Sequence, residues 1–542
     1  MNLLRWTLLT SLLVSPAPQL ATAQATGGHG EVAFALHYDP KTLDPAKVDD
    51  QASELVRYLT AGVLVRLNRS TLALEPMLAE TYSISADGKL VTLRLRPNLR
   101  FSDGSPLTST DVVATFHRVL APATAAPVAD EFVEPAKVTV EAADPLTVKL
   151  HLPVRLVAIA AVLDEIAIEP ANRVTNGSVT AGPFTIAEYH RGESLRLARN
   201  PNYFKHDANG APLPYLASLR LDILNNRETE ELRFARGQYA VLDAVPAESF
   251  EALHRRMPSA VHDLGPSLNT EQMWFNQSAR APLPAYEKQW FASRTFRAAV
   301  SAALHRADLA RVAYDGHATP ANGYISPANT TWYNHALTPA REDRNTALQL
   351  LASDGFRKQG NDLVDREGHS VKFSILTNAG NRSRERMATL IQQDLAAIGM
   401  QVNVVTLDFP ALIDRLMHSG DYEAALLGLS DVQPDPISEM NIWLSSSPNH
   451  QWNPSEKTPA TPWEAEIDRA MHAQAETTDP HTRKAALDHV QSIVADQFPF
   501  IYLVYPNTLC AVSPDLDGVR FSVLQPDVLS SVDTLSWKGA RR

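Results

Sequence analysis

The chain has 542 residues, 44% hydrophobic and 20% charged, enough for the buried cores of two or three domains. Lys+Arg 49 against Asp+Glu 61 gives a net charge of −12 with no basic run that could track nucleic acid, which excludes a nucleic-acid partner. Past the N-terminus no stretch reaches the roughly 18–20 apolar residues of a membrane span.

Residues 1–23 have the layout of an export signal: Arg5, an apolar core over 6–14, helix-breaking Pro16 and Pro18, and the small-x-small site Ala21-Thr22-Ala23. The mature chain is expected to begin at Gln24. Cys510 is the sole cysteine, so no disulfide forms within the chain and no cysteine beside the signal carries a lipid. Those features predict a soluble protein of a Gram-negative periplasm. Cys510 lies in the apolar run Leu509-Cys510-Ala511-Val512 and reads as a small buried side chain.

In chain order, residues 31–38 alternate as a strand with Val32, Phe34 and Leu36 on one side. The turn Thr42-Leu43-Asp44-Pro45 and a helix over 53–64 follow. Over LVTLRLRPNLRFSDGSPLTSTDVVATFHRVL, residues 90–120, Val91, Leu93 and Leu95 alternate with Thr92, Arg94 and Arg96. Ser102-Asp103-Gly104 turns the chain, and Thr108 with Asp111 caps a helix whose inner face carries Val112, Val113, Phe116, Val119 and Leu120. Short alternating runs at 137–141 and 147–152 suit a small inserted domain. AGPFTIAEYHRGESLRLARNPNYF, residues 181–204, reads as a hairpin turning at Arg191-Gly192.

In the second half, Met273-Trp274-Phe275-Asn276 is a strand and 296–309 is one helix. Val371, Phe373 and Ile375 form a strand, a helix over 384–398 ends at Gly399, and Val402 and Val404 open the next strand. This is a βαβ unit, so the two strands are expected to be parallel. Thr461-Pro462-Trp463-Glu464 is a capping box, a second helix runs from Asp479-Pro480 towards Asp496, and 498–504 returns as a strand. No internal repeat marks a solenoid.

The 90–120 and 181–204 phrases closely resemble the bacterial extracellular solute-binding proteins of family 5, the peptide- and nickel-binding receptors of ABC importers. Leu43-Asp44-Pro45, the Pro76–Glu80 segment and Pro214-Tyr215-Leu216 resemble further segments of that family. The resemblance implies an α/β, two-lobed periplasmic-binding-protein fold of type II, in its large three-domain variant with mixed sheets. It implies lobe I from 24–60, 181–275 and 506–542, an inserted small domain over 61–180, and lobe II over 276–505. It also implies hinge closure of a monomer over a peptide-like solute and delivery to the permease subunits, with the membrane touched only through them. Within the same fold the cargo could be a metal chelate, haem, a sugar or an opine. A secreted hydrolase or a periplasmic chaperone is the alternative of a different class.

No metalloprotease, nucleophile-elbow, phosphate-loop or paired-cysteine spacing occurs, and the 17 histidines are scattered. The expectation is therefore a binder with no catalytic residue, no cofactor and no resident metal. A peptide receptor needs a carboxylate for the ammonium end, a cation for the carboxylate end and tolerant pockets. The resemblance points to Asp431 first and Asp435 second for the ammonium, in a segment that lacks the family's tryptophan. Arg382, Arg384 and Arg386 begin a helix, where arginine and the free N–H groups both favour anions. Tyr502 stands near the family's ligand-facing tyrosine, and Trp274, Asn276, Tyr324 and Trp332 are further lining candidates.

Overall fold

The computed structural model describes residues 30–539 apart from 133, 340 and 431; the expected export signal and Asp431 lie outside the described residues. Three sheets of four or more strands organise the chain. In the first, Glu31–Leu36 runs parallel to Ser218–Ile223, which pairs onward with the hairpin Ser194–Arg199 and Phe184–His190. Gly192 sits at φ +73 in the hairpin turn, a left-handed conformation that a Cβ would strain. Val32, Phe34 and Leu36 bury against Leu195, Leu197, Leu219 and Leu221. The helix Gln51–Thr60 covers this face, starting two residues earlier than expected because Asp50 accepts the Ser53 N–H at 3.0 Å.

The second sheet has the order Ala79–Ile84, Leu90–Leu95, Thr147–His151, Thr139–Asp144. Val91, Leu93 and Leu95 are buried while Arg94 is exposed, as the alternation requires. Against this sheet packs the helix Ser109–Leu120, with Val112, Phe116 and Val119 in the core. Each such side chain stabilises by about 1.5–3 kcal/mol when fully buried. The Thr108 N–H donates to Asp111 Oδ2 at 2.8 Å, closing the start of the helix. On its polar side Arg118 pairs with Glu169 and, at 2.5 Å, with Asp44, which fastens the 42–45 turn to this unit.

The third sheet has eight strands, with Val241–Leu242, Ile501–Val512, Thr270–Phe275, Ala424–Leu429, Lys372–Asn378 and Gln401–Leu407 in order. Lys372–Asn378 and Gln401–Leu407 are parallel, crossed by the helix Arg382–Ala397, as the βαβ reading expects. Ile501–Val512 is eight residues longer than the expected end at 504. Its first half pairs with Thr270–Phe275 and Ala318–Pro320, and its second half with Val261–Pro266 and Val241–Leu242. The Ala240 N–H donates to Ala33 O at 2.9 Å, so that second half joins the layer of the first sheet. Two extended passages, 266–270 and 505–507, therefore link the two halves of the molecule. Pro266 and Pro506 lie in them, and the ladder shifts register between Asp263 and Pro266. Thr270–Phe275, placed by the expected boundary at the end of lobe I, lies between the 424–429 and 501–512 strands.

The single helix expected over 296–309 is broken. Arg294–Ala303 ends before His305, and a short helix Arg306–Asp308 continues into one π turn. The break turns the buried Arg306 guanidinium inward, where it donates to Tyr502 O at 2.7 Å, Ser301 Oγ at 2.8 Å and Ser301 O at 3.2 Å. With the Glu342 carboxylate at 3.3 Å, four oxygens satisfy the buried cation.

Candidate functional site

The parallel strands of the third sheet end at Asn378 and Leu407, which are partners in register, and Leu429 ends opposite Thr270. Carboxyl ends of strands in such sheets are where ligand crevices form. This edge adjoins the two passages, since Thr270 is where the 266–270 passage ends. From the other half of the molecule Glu248, on the helix Ala247–Arg256, faces residues 378–383 across an open cavity of about 520 Å³. Arg382 lines that cavity, is exposed and has no ion pair among the described residues.

Arg384 differs. Its Nε donates to Glu271 Oε2 at 2.8 Å and its Nη1 to Asn378 Oδ1 at 3.0 Å, while the Tyr314 hydroxyl donates to Glu271 Oε1 at 3.0 Å. The guanidinium is thus neutralised within the wall. Gly428 makes room for it, since a Cβ there would stand 2.6 Å from Arg384 Nη2. Arg386 points elsewhere, to Asp315 at 3.5 Å.

Behind the same edge lies a polar corner in an aromatic cluster. Tyr502 and Tyr324 are buried, and neither hydroxyl has a hydrogen-bond partner among the described residues. Burial and the nearby Glu439 carboxyl push both phenols well above their ordinary range. Glu439 accepts one bond, from the Trp443 indole at 3.3 Å, and burial pushes its carboxyl up to about 7. Two unpartnered hydroxyls beside a buried carboxyl are unusual, because buried polar groups are nearly always satisfied.

Asp435 is already occupied. Arg483 donates to its two oxygens at 2.9 and 2.6 Å, and the carboxylate also caps a short turn through the Ile437 N–H at 3.0 Å. The same guanidinium lies 4.8 Å from the Trp332 ring centre, so Trp332, Arg483 and Asp435 form one rim. Trp274 donates to the Tyr422 hydroxyl at 3.2 Å and packs on Phe500. Asn276 donates to the Gly420 and Tyr422 carbonyls at 2.9 and 3.0 Å. It lies at the far end of its strand, about 20 Å from the Thr270 edge at ~3.3 Å per residue. Of the expected residues, Arg382 lines the open cavity at the edge, Tyr324, Tyr502, Trp332 and Trp274 share one buried aromatic cluster, and Asn276 closes the far end of its strand.

Sequence reasoning missed Glu271, Glu439 and Arg483. Each is one carboxylate or guanidinium among many, and only tertiary burial sets it apart. At the passages, His317 Nδ1 lies 2.7 Å from Asp263 Oδ2 and Nε2 lies 3.4 Å from Glu251, while Asn507 donates to both Asp263 oxygens. Burial alone would raise Asp263, but hydrogen bonds from His317, Gly265 and Asn507 hold it below the usual carboxylate range.

The profile of the bacterial extracellular solute-binding proteins, family 5 Middle, matches residues 73–451. The probable D,D-dipeptide-binding periplasmic protein DdpA of Escherichia coli is 26% identical over 520 residues, covering 92% of each chain. Among solved structures, the oligopeptide-binding protein AppA of Bacillus subtilis with a nonapeptide has a TM-score of 0.67 at 20% identity, covering 94% of this chain and 99% of that one. NikA of Brucella suis with Fe(III)-EDTA has a TM-score of 0.78 at 17% identity, covering 94% and 100%. Within the described residues no helix is long and apolar enough to cross a membrane.

Proposed function

The chain belongs to the bacterial extracellular solute-binding proteins of family 5, and on that premise we propose that it is the substrate-binding component of an ABC importer, taking a peptide or peptide-like solute. The division into lobe I (24–60, 181–265, 508–542), small domain (61–180) and lobe II (271–504) is part of the proposal, with the expected boundary at 275 moved to hinge passages at 266–270 and 505–507 because Thr270–Phe275 pairs within the third sheet. So are export by the 1–23 signal, residence in the periplasm and handover to the permease. The protein binds its solute and leaves its covalent bonds alone.

The observation that carries the reading is the corner behind the cleft edge where the Tyr324 and Tyr502 hydroxyls, beside Glu439, have no partner among the described residues. A peptide brings main-chain N–H groups and an ammonium, the donors these oxygens lack. Arg382 is the cation for an anionic end, Trp332 a stacking wall, and Asp431 a second carboxylate at the ammonium. Arg384 and Asp435 hold the wall rather than the guest. Closing the lobes excludes water and strengthens each of these contacts.

A thermal-shift screen of peptide pools against metal chelates, haem, sugars and opines tests the proposal. A cognate peptide at a hundred times its Kd adds about 2.7 kcal/mol of stability. Stabilisation by a chelate, haem, a sugar or an opine with none by any peptide pool would overturn the ligand class, and cleavage of the peptides would overturn the binding role.

A further inference from the structure

Beside the aromatic cluster, three ionisable side chains meet inside the half of the molecule built on the third sheet. We propose that His450, Glu456 and Glu464 form a site for one divalent transition-metal ion of the Zn²⁺ or Mn²⁺ class, held for structure rather than transport. His450 is fully buried, and its Nδ1 lies 2.9 Å from the Ile442 carbonyl. That bond places a proton on Nδ1 and leaves Nε2 with no hydrogen-bond partner among the described residues. Nε2 points at two buried carboxylates, with Glu464 Oε1 at 3.6 Å and Glu456 Oε1 at 4.0 Å, and the three ligand atoms lie within 4.8 Å of one another.

An imidazolium paired with a carboxylate would draw one of them to about 2.7–2.9 Å. Separations of 3.6 and 4.0 Å are instead close to what neighbouring ligands of one tetrahedral ion keep, about 3.4 Å for bonds of about 2.1 Å. Neither carboxylate has a Lys or Arg ion-pair partner among the described residues. Two buried carboxyl groups facing a bare ring nitrogen form a donor set that a divalent cation would satisfy.

The outer contacts are those that orient metal ligands. Trp452 donates its indole N–H to Glu464 Oε1 at 2.9 Å and the Thr461 hydroxyl donates to Oε2 at 2.8 Å. The Ala460 N–H donates to Glu456 Oε2 at 2.6 Å, and Asn453 donates to Oε1. One nitrogen and two oxygens, with a fourth position for water, suit Zn²⁺ or Mn²⁺ over the soft metals that thiolates select. The ion would clamp the 450–464 loop onto the start of the helix Pro462–Ala475.

The site adjoins the Glu439–Trp443 corner through Ile442 and Trp452, and its metal readout is separate from solute binding. In the other His/Asp/Glu cluster, Asp365, Glu367 and His369, two members are exposed and His369 Nδ1 is bonded to Asp365 at 2.9 Å, which makes it a control. The mature protein is stripped with EDTA, loaded with Zn²⁺ alone or Co²⁺ alone, desalted, and assayed for metal per chain, Co²⁺ absorption and thermal midpoint. The expected result is one ion per chain, with four-coordinate Co²⁺ bands and a midpoint that EDTA lowers. Binding weakens at least tenfold in His450→Gln and in Glu456→Gln, and is unchanged in His369→Gln. Should His450→Gln not fold, Glu456→Gln and the wild-type stoichiometry decide. Less than half an ion per chain in wild type, or retention lost only in His369→Gln, overturns the site.

Discussion

Replacing Arg384 by methionine keeps the length of the side chain and removes its charge from the cleft wall. Arg384 and Glu271 side chains are 13% and 7% exposed, and the pair is joined at 2.8 Å. The substitution leaves the Glu271 carboxylate buried with only the Tyr314 hydroxyl among its side-chain partners. Stranding one partner of a buried pair costs about 3–5 kcal/mol. Urea denaturation followed by circular dichroism should show the midpoint falling with an unchanged slope. Arg384→Met with Glu271→Leu, which removes both charges, should recover most of the loss, because the penalty belongs to the stranded charge and not to the missing attraction. Affinity for the solute should change by no more than about tenfold, about 1.4 kcal/mol. A variant that keeps wild-type stability to within about 1 kcal/mol and loses binding a hundredfold would show that Arg384 faces the guest, and would refute the assignment of this pair to the wall.

Tyr502→Phe removes a buried hydroxyl that has no partner among the described residues, so stability should hold or rise by up to about 1–3 kcal/mol while solute affinity falls about five- to tenfold; melting curves and calorimetry read the two effects separately. Glu439 has a folded-state pKa near 7 against 4.5 for the free group, pushed up by burial. Its protonated form is the one the fold favours, so this contribution is complete below about pH 4.5 and is lost as pH rises through about 7, about 3 kcal/mol in all. The pH dependence of the thermal midpoint in Glu439→Gln, set against wild type, should lack that fall. Burial pushes the Cys510 thiol far above its ordinary range, so a thiol reagent at pH 8 should label it only after unfolding.

The local structure was legible where one short-range rule governs it. Period-two burial gave Leu90–Leu95, the Thr108 and Thr461 caps gave two helix starts, and Gly399 gave the end of the crossover helix. Two features escaped for physical reasons. The Phe296 helix breaks because Arg306 serves the distant Tyr502 carbonyl, and the 501–512 strand continues past Pro506 because partners far away in sequence accept its second half. The cleft was legible only as residue types. Nothing local distinguishes Arg382, which lines the cavity, from Arg384, which is spent on Glu271. Asp435 likewise reads as a free carboxylate until the helix Pro480–Gln497 brings Arg483 to it.

Small-angle X-ray scattering with and without a saturating pool of short peptides addresses the central claim most directly. Closure of two lobes about the passages at 266–270 and 505–507 should reduce the radius of gyration when the peptide pool is added. An unchanged scattering curve, with peptide bound at saturation, would contradict a hinged receptor.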